Sequence, residues 1–257
     1  SIKGNISSVN IYYSPDGGIT NLSINNSVDA TLGTWTWNIN NTTTPSSNAK
    51  IKVAYTSDVA NMSDISNYDF TVAELSLTHP NGGNNWKAGS TQEIVWAANN
   101  ISKVNLYYNL TNGTGWTLIP GADNITASNQ SFNWSISPAI AVSNNVTVYI
   151  EDVNSTGVND TSDGVFAIIP NFNITAPDGG ESLYASESYE INWTSTGLPA
   201  SIGNVKLTYS TTGSGGTWLP INNSTSSAGP YTWDPIPFDL LTSDLRVNIT
   251  LLNNINA

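Results

Sequence analysis

The sequence predicts an all-β protein of three tandem immunoglobulin-like β-sandwich domains, of which the first and last are incomplete within these 257 residues. Three observations predict this fold. Residues 75–96 return without a gap as residues 172–193, which indicates a domain-sized unit used more than once. Short runs of alternating apolar residues are separated by turns rich in Gly, Asn, Ser and Pro, and no segment shows a helical period. Many short strands at this spacing are typical of a sandwich.

The repeat opens with a segment that indicates a strand, a turn and a second strand. Adjacent glycines, Gly82 with Gly83 and Gly179 with Gly180, mark a turn that needs positive φ. They lack the following helix and lysine of a phosphate-binding loop. The identical positions are Thr78, Pro80, Gly82, Gly83, Ala88, Glu93, Ile94 and Trp96, which match Thr175, Pro177, Gly179, Gly180, Ala185, Glu190, Ile191 and Trp193.

Three more elements recur in each copy: a strand entering a Gly-rich hairpin, an aromatic strand, and another alternating strand. The hairpin strand occupies residues 5–18, 100–113 and 203–216. The aromatic strand occupies residues 34–37, 131–134 and 230–233, and the last alternating strand occupies residues 51–58, 146–153 and 245–252. In the aromatic strand, the spacing aromatic-x-Trp places both rings on one face, because side chains alternate along a strand. Recurrence of these rings at a fixed phase predicts that they form the core.

The repeat divides the chain into domains at residues 1–74, 75–169 and 170–257. The first lacks the opening strands, the second is complete, and the third lacks the final strand. Since almost no linker separates the copies, the domains are expected to abut closely. An incomplete sandwich exposes unpaired edges, so we expect either further repeats of a longer array or a strand from a neighbouring subunit to cover them.

Composition restricts the classes of function. Only 10% of residues are charged, the formal net charge is −12, and the seven Lys and Arg are never clustered. Nucleic-acid binding needs a basic surface, which this composition does not provide. No apolar run is long enough for the chain to insert directly into a membrane. The absence of Cys excludes disulfides and thiol catalysis. The aromatic content of 10% argues against disorder.

Asn-x-Ser/Thr sequons are abundant, which favours an exported glycoprotein of the extracellular cell surface. The candidate glycosylation sites are Asn5, Asn21, Asn61, Asn100, Asn109, Asn124, Asn133, Asn145, Asn154, Asn192, Asn222 and Asn248.

The repeat motif resembles the Ser/Thr-rich Kre/Knh-type domain of cell-wall and surface proteins. The matching residues are Pro80, Gly82, Gly83, Trp86, Ala88, Gly89 and Trp96, then Pro177, Gly179, Gly180 and Trp193. The second copy departs from the motif, with Leu183 or Tyr184 in place of Trp86 and Ser186 in place of Gly89. The resemblance implies an extracellular Ig-like sandwich and implies little about activity.

Few residues indicate chemistry. His79 is the only histidine, and its counterpart in the next copy is Ala176, so no catalytic residue is predicted. Calcium is the one cofactor considered, because it prefers carboxylate oxygens. Its candidate ligands are Glu151, Asp152, Asp160 and Asp163; a solvated acidic loop is the alternative.

Three tryptophans next to turns, Trp86, Trp116 and Trp218, are predicted to be exposed and are the candidates for contact with a ligand or partner. The sequence as a whole favours a non-enzymatic structural repeat protein of a surface layer, stalk or filament. Its expected partners are copies of itself or adjacent repeats, and it could polymerise by strand complementation. Two alternatives remain open: an adhesin or carbohydrate-binding module that contacts glycans, and an accessory segment of a secreted enzyme.

Overall fold

A computed structural model describes residues 6–40, 42–113 and 115–252 and confirms the predicted all-β class, with tandem units of which the middle and third each have two sheets. The helices among these residues are the four-residue α1 (Pro199–Ile202) and two 3-10 turns, Ala30–Leu32 and Ala127–Asn129. Within this described part, no helix has the length and apolar character needed to cross a membrane.

The first unit is one antiparallel sheet in the order β2-β1-β3-β4, with β5 paired to the start of β3. Its strands are β1 (Ser8–Ser14), β2 (Leu22–Asp29), β3 (Ser46–Tyr55), β4 (Ser63–Ile65) and β5 (Phe70–Val72).

The middle unit is a sandwich of two sheets. The larger has the order β10-β9-β13-β15-β7, with β11 paired to β9 and β14 to β13, and the smaller has the order β12-β8-β6. The strands are β6 (Glu74–His79), β7 (Asn85–Lys87), β8 (Thr91–Asn99), β9 (Lys103–Asn109), β10 (Thr117–Leu118), β11 (Ile125–Thr126), β12 (Ser131–Ser135), β13 (Ser143–Asp152), β14 (Ser155–Thr161) and β15 (Phe166–Ile169).

The third unit pairs two three-stranded sheets, β16-β17-β20 and β19-β18-β21. Its strands are β16 (Phe172–Ala176), β17 (Tyr189–Ser195), β18 (Asn204–Ser210), β19 (Leu219–Ser226), β20 (Tyr231–Trp233) and β21 (Arg246–Leu251). Only Ala73 separates β5 from β6, and only two residues separate β15 from β16.

A tyrosine on the hairpin strand packs against a tryptophan of the aromatic segment in all three units. The pairs are Tyr13 with Trp37 at 5.1 Å, Tyr108 with Trp134 at 5.0 Å and Tyr209 with Trp233 at 5.1 Å between ring centroids. Nearly equal distances in three copies show that this contact belongs to the packing of the repeat.

The tryptophan that ends the opening segment makes the same kind of hydrogen bond in the middle and third units. The indole of Trp96 donates to the Ala127 carbonyl at 3.0 Å, and that of Trp193 donates to the Ser227 carbonyl at 2.8 Å. Both rings are buried, so each hydrogen bond satisfies a polar group that would otherwise be costly to bury.

The prediction of an aromatic strand is wrong for residues 34–37, which form no strand. Trp35, expected in the core, is 38% exposed. In the middle unit the equivalent Phe132 pairs with Ile94 of β8, so the aromatic strand is held by a neighbour. Among the described residues, no strand lies beside residues 34–37, and the segment therefore has no ladder to join.

Candidate functional site

Trp86 is not the exposed contact residue that its position beside a turn predicts. Its side chain is only 3% exposed and contacts Trp134 and Phe166, at 6.0 and 4.6 Å between ring centroids. The reason is that β7 pairs in parallel with β15, with Trp86 opposite Ile168, and this pairing directs the ring into the core. The ring of the half-buried His79 also lies beside Trp86, with 5.7 Å between the two ring centroids.

The four acidic candidates for calcium have different hydrogen-bond partners in the structure. Glu151 accepts hydrogen bonds from two tyrosine hydroxyls, whereas Asp160 accepts from the backbone N–H of Leu77 at 2.7 Å. Asp152 accepts from the N–H of Asn154, and Asp163 from the side chain of Asn81. Across the part of the chain that the structure describes, no three Asp, Glu or His side chains are arranged to hold a metal ion. The four carboxylates thus make separate hydrogen bonds from the end of β13, from β14 and from the segment after β14.

The sequons differ in accessibility. Asn109 is only 4% exposed, and its amide donates to the carbonyls of Gly113 and Gly115, so it is a structural residue of the hairpin and not an accessible acceptor. Asn5 lies outside the described residues. Asn21, Asn61, Asn100, Asn124, Asn133, Asn145 and Asn154 are exposed, and Asn192, Asn222 and Asn248 are half-buried.

Trp116 belongs to a cluster of aromatic rings on the outer face of the middle unit, hereafter the aromatic platform. Its ring is 37% exposed and stacks on Tyr149, with centroids 5.2 Å apart and planes at 28°. Tyr149 lies directly opposite Tyr107 in the ladder between β13 and β9, at 5.8 Å. One face of the indole is thus occupied by Tyr149, while part of the side chain stays exposed. Trp218, the third candidate, is half-buried and lies in the third unit, apart from this cluster.

Glu151 anchors the two tyrosines of the platform. The hydroxyls of Tyr107 and Tyr149 donate to its two carboxylate oxygens at 2.8 and 3.1 Å. Burial raises the pKa of both hydroxyls, and the hydrogen bonds to Glu151 and its negative charge raise each pKa further. Because a carboxylate has about four acceptor positions, two remain for another donor.

The platform is specific to the middle unit. The residues facing each other at the position of Tyr107 and Tyr149 are Tyr12 with Lys52 in the first unit, and Thr208 with Asn248 in the third. The inward Tyr–Trp pair recurs because the core requires it, whereas the outward cluster is not needed by the fold. This contrast separates the platform from ordinary packing. Sequence reasoning found Trp116, named Glu151 only as a candidate calcium ligand, and missed Tyr107 and Tyr149, because only the pairing of β9 with β13 brings the two tyrosines together.

An open apolar groove marks the first unit. It has a volume of about 400 Å³, and its walls include Val9, Ile11, Trp35, Trp37 and Val53. In the middle unit, the residues at the corresponding positions are covered by the second sheet.

Comparison with known proteins gives no family. No family model matches the chain, and no curated protein matches it. Among solved structures, it is similar to fibronectin(III)-like modules of Clostridium thermocellum CbhA, at 18% identity over 63% of this chain and 79% of that chain, with a TM-score of 0.24. It is also similar to the FN1-FN3 domains of chicken CNTN1, at 10% identity over 98% of this chain and 86% of that chain, with a TM-score of 0.27.

Proposed function

We propose that this chain is a non-enzymatic structural repeat protein of an extracellular surface assembly, such as a surface layer, stalk or filament. The observation that carries the proposal is the junction between the middle and third units. There the N–H groups of Gly197 and Leu198 each donate to carbonyls of the middle unit, those of Pro138 and Ile140, both at 2.7 Å. Backbone hydrogen bonds of this kind fix the relative orientation of two units, which a stalk or layer requires.

Side chains strengthen the same junction. The Thr196 hydroxyl donates to the Ala88 carbonyl at 2.7 Å, and the Val142 N–H donates to the Ser201 hydroxyl at 2.9 Å. The first and middle units also touch, since the Asn100 amide donates to the Val72 carbonyl at 2.9 Å. Short connections combined with hydrogen bonds across them favour a stiff row of units over beads on a flexible string. The exposed sequons support an extracellular location.

Pairwise distance measurements test the stiffness of the row. Since the native chain has no Cys, Asn133→Cys and Thr217→Cys place one spin label each on exposed sites of the middle and third units. We expect one narrow distance distribution, as narrow as that of a control pair inside the middle unit, Asn124→Cys with Asn145→Cys.

The junction itself provides the matched comparison. Thr196→Ala combined with Ser201→Ala removes the two side-chain hydrogen bonds between the units and should broaden the distribution between the units, while the control pair stays unchanged. A broad distribution in the native junction would contradict the proposal, because the chain would then be a flexible string.

A second function is favoured by the aromatic platform: binding of a neutral glycan. The free face of Trp116 offers an apolar surface to the C–H face of a sugar ring, and Glu151 offers acceptors to its hydroxyls. The net charge of −12 disfavours acidic glycans. A glycan panel of neutral gluco-, manno- and N-acetylglucosamine oligosaccharides tests this, followed by tryptophan fluorescence. Trp116→Ala should abolish binding and Trp218→Ala should preserve it; equal binding by both variants would refute the platform as the site.

A further inference from the structure

The open groove of the first unit is an apolar sheet face that has no covering layer among the described residues. Ile51 and Val53 on β3 are half-buried, whereas Val148 and Ile150, at the corresponding places on β13, are fully buried. Trp35, on the wall of the groove, is exposed. Leaving this much apolar surface in water is unfavourable, so the face is expected to be covered in the assembled protein.

The middle unit shows which element covers this face. There β8 lies on the larger sheet, and its Ile94 and Trp96 are fully buried in the cluster that includes Leu106 and Ile150. The same strand pairs with the aromatic strand, with Ile94 opposite Phe132. The third unit repeats this register, with Ile191 opposite Tyr231. A single strand therefore does two things: it fills the core and gives the aromatic segment a partner.

We propose that the groove of the first unit receives a β-strand of the same kind as β8, lying antiparallel to residues 34–37. Its apolar residues alternate, and the aliphatic one lies opposite Trp35, as Ile94 lies opposite Phe132. This strand converts residues 34–37 into the aromatic strand that the repeat predicts and closes the groove. The inference concerns the completion of one unit and does not depend on the proposed structural role.

The strand has to come from polypeptide outside the described residues. The described residues contain two strands of the β8 kind, and each fills the core of its own unit. Ile94 and Trp96 are buried in the middle unit, and Ile191 and Trp193 are buried in the third. Removing either segment would expose the core of its own unit. A second copy of the described residues therefore has no such strand free to donate.

We assign the strand to polypeptide continuous with β1 on its N-terminal side. In the middle unit, β8 ends at Asn99 and β9 begins at Lys103, so a very short turn joins the covering strand to the hairpin strand. β1 is the counterpart of β9 in the first unit. A covalently attached strand reaches the groove at a high effective concentration, which a strand from another molecule has to match by affinity.

A synthetic peptide tests the chemistry of the groove. A fluorescent peptide with the sequence of residues 74–99, the β6–β8 segment, is added to the full chain and its anisotropy is measured. We expect saturable binding with protection of Trp35 and Trp37 from a fluorescence quencher. A peptide with Ile94→Asp and Trp96→Asp should not bind. Trp35→Ala in the protein should weaken binding about tenfold, and Leu241→Asp, at an exposed apolar position of the third unit, should leave it unchanged.

A fusion distinguishes the source of the strand. Residues 74–99 are joined directly to Asn5, because Asn5 corresponds to Asn100 in the repeat. We expect a monomer that no longer binds the free peptide and whose first unit melts at a higher temperature. A fused chain that blocks the peptide only as an exchanged dimer would overturn the assignment to the adjoining polypeptide. Failure of both peptide and fusion to protect Trp35 and Trp37 would overturn the proposal as a whole.

Discussion

Glu151 couples two tyrosines of the platform, and this coupling has a measurable signature. Its charge and its hydrogen bonds raise the pKa of Tyr107 and Tyr149 above the ordinary value of 10.0, in addition to the effect of burial. Glu151→Gln should therefore lower both pKa values toward 10.0, as followed by tyrosinate absorbance during an alkaline titration. Glu93→Gln, an exposed glutamate on the same unit, is the control and should leave the titration unchanged.

The sign of the effect on stability follows from linkage. A pKa raised in the folded state means that stability is fully present below the unfolded value and declines as pH rises through the folded value. The free energy of unfolding should thus fall as pH rises above 10.0, and less steeply in Glu151→Gln. Identical slopes in the two proteins would contradict the coupling.

The sequon at Asn109 predicts a glycosylation site, whereas the structure shows a side chain that holds the hairpin loop together. Its Oδ1 accepts from the N–H of Thr111 at 2.7 Å while its amide bonds two carbonyls, so the side chain organises the hairpin loop from inside. Asn109→Ala leaves these groups without partners and should lower the free energy of unfolding by about 1–3 kcal/mol, as measured in urea. Asn133→Ala, at an exposed sequon, should change it little. Mass spectrometry of the protein from its source should find no glycan on Asn109; an occupied Asn109 would contradict the burial.

At the scale of the elements, the segment that follows β17 can approach the middle unit closely because residue 197 is a glycine. Gly197 has φ +99°, and an added Cβ would lie 2.7 Å from a methyl of Val142 in the neighbouring unit. Gly213 also has positive φ, 77°, but has open space around it. Gly213→Ala should therefore lower the free energy of unfolding only by the cost of a Cβ at positive φ, about 1–2 kcal/mol, whereas Gly197→Ala should also broaden the distance distribution between the two units. Equal behaviour of the two variants would show that the close approach does not hold the junction.

The elements also show what the sequence can and cannot specify. Recurrence at fixed phase correctly placed Trp96, Trp134 and Trp233 in the cores, because packing imposes the same requirement on every copy. It could not place Trp86, because its direction is decided by parallel pairing with β15, a strand about eighty residues later. Nearness to a turn is a local property, while exposure depends on such long-range pairing.

Residues 34–37 show a second limit of prediction from sequence. Their sequence has the pattern of the aromatic strand, yet they form no strand because the partner strand is not among the described residues. Alternation specifies which face a side chain takes once a strand exists, and the ladder itself needs a neighbour. The platform was missed for a related reason: only the pairing of β9 with β13 brings Tyr107, Tyr149 and Glu151 together.

At the scale of the whole molecule, the three units differ in how much core they bury. The buried cluster of the middle unit draws on both of its sheets, whereas that of the first unit consists of Tyr13, Ala49 and Val72. Stability within a protein is not uniform, and elements with few buried contacts open most readily. Unfolding of the chain should therefore begin in the first unit, independently of the junction between the other two.

Hydrogen exchange followed by mass spectrometry tests this order. The amides of β1 and β3 should exchange faster than those of β9 and β13, although both pairs form antiparallel ladders of similar length. The difference arises because the second sheet covers β9 and β13, whereas no second sheet covers β1 and β3 among the residues that the structure describes. Adding the peptide of residues 74–99 should slow exchange in β1 and β3 and leave β9 and β13 as the internal control. If β1 and β3 already exchange as slowly as their counterparts, the groove does not weaken the first unit, and the physical reason for completing it is lost.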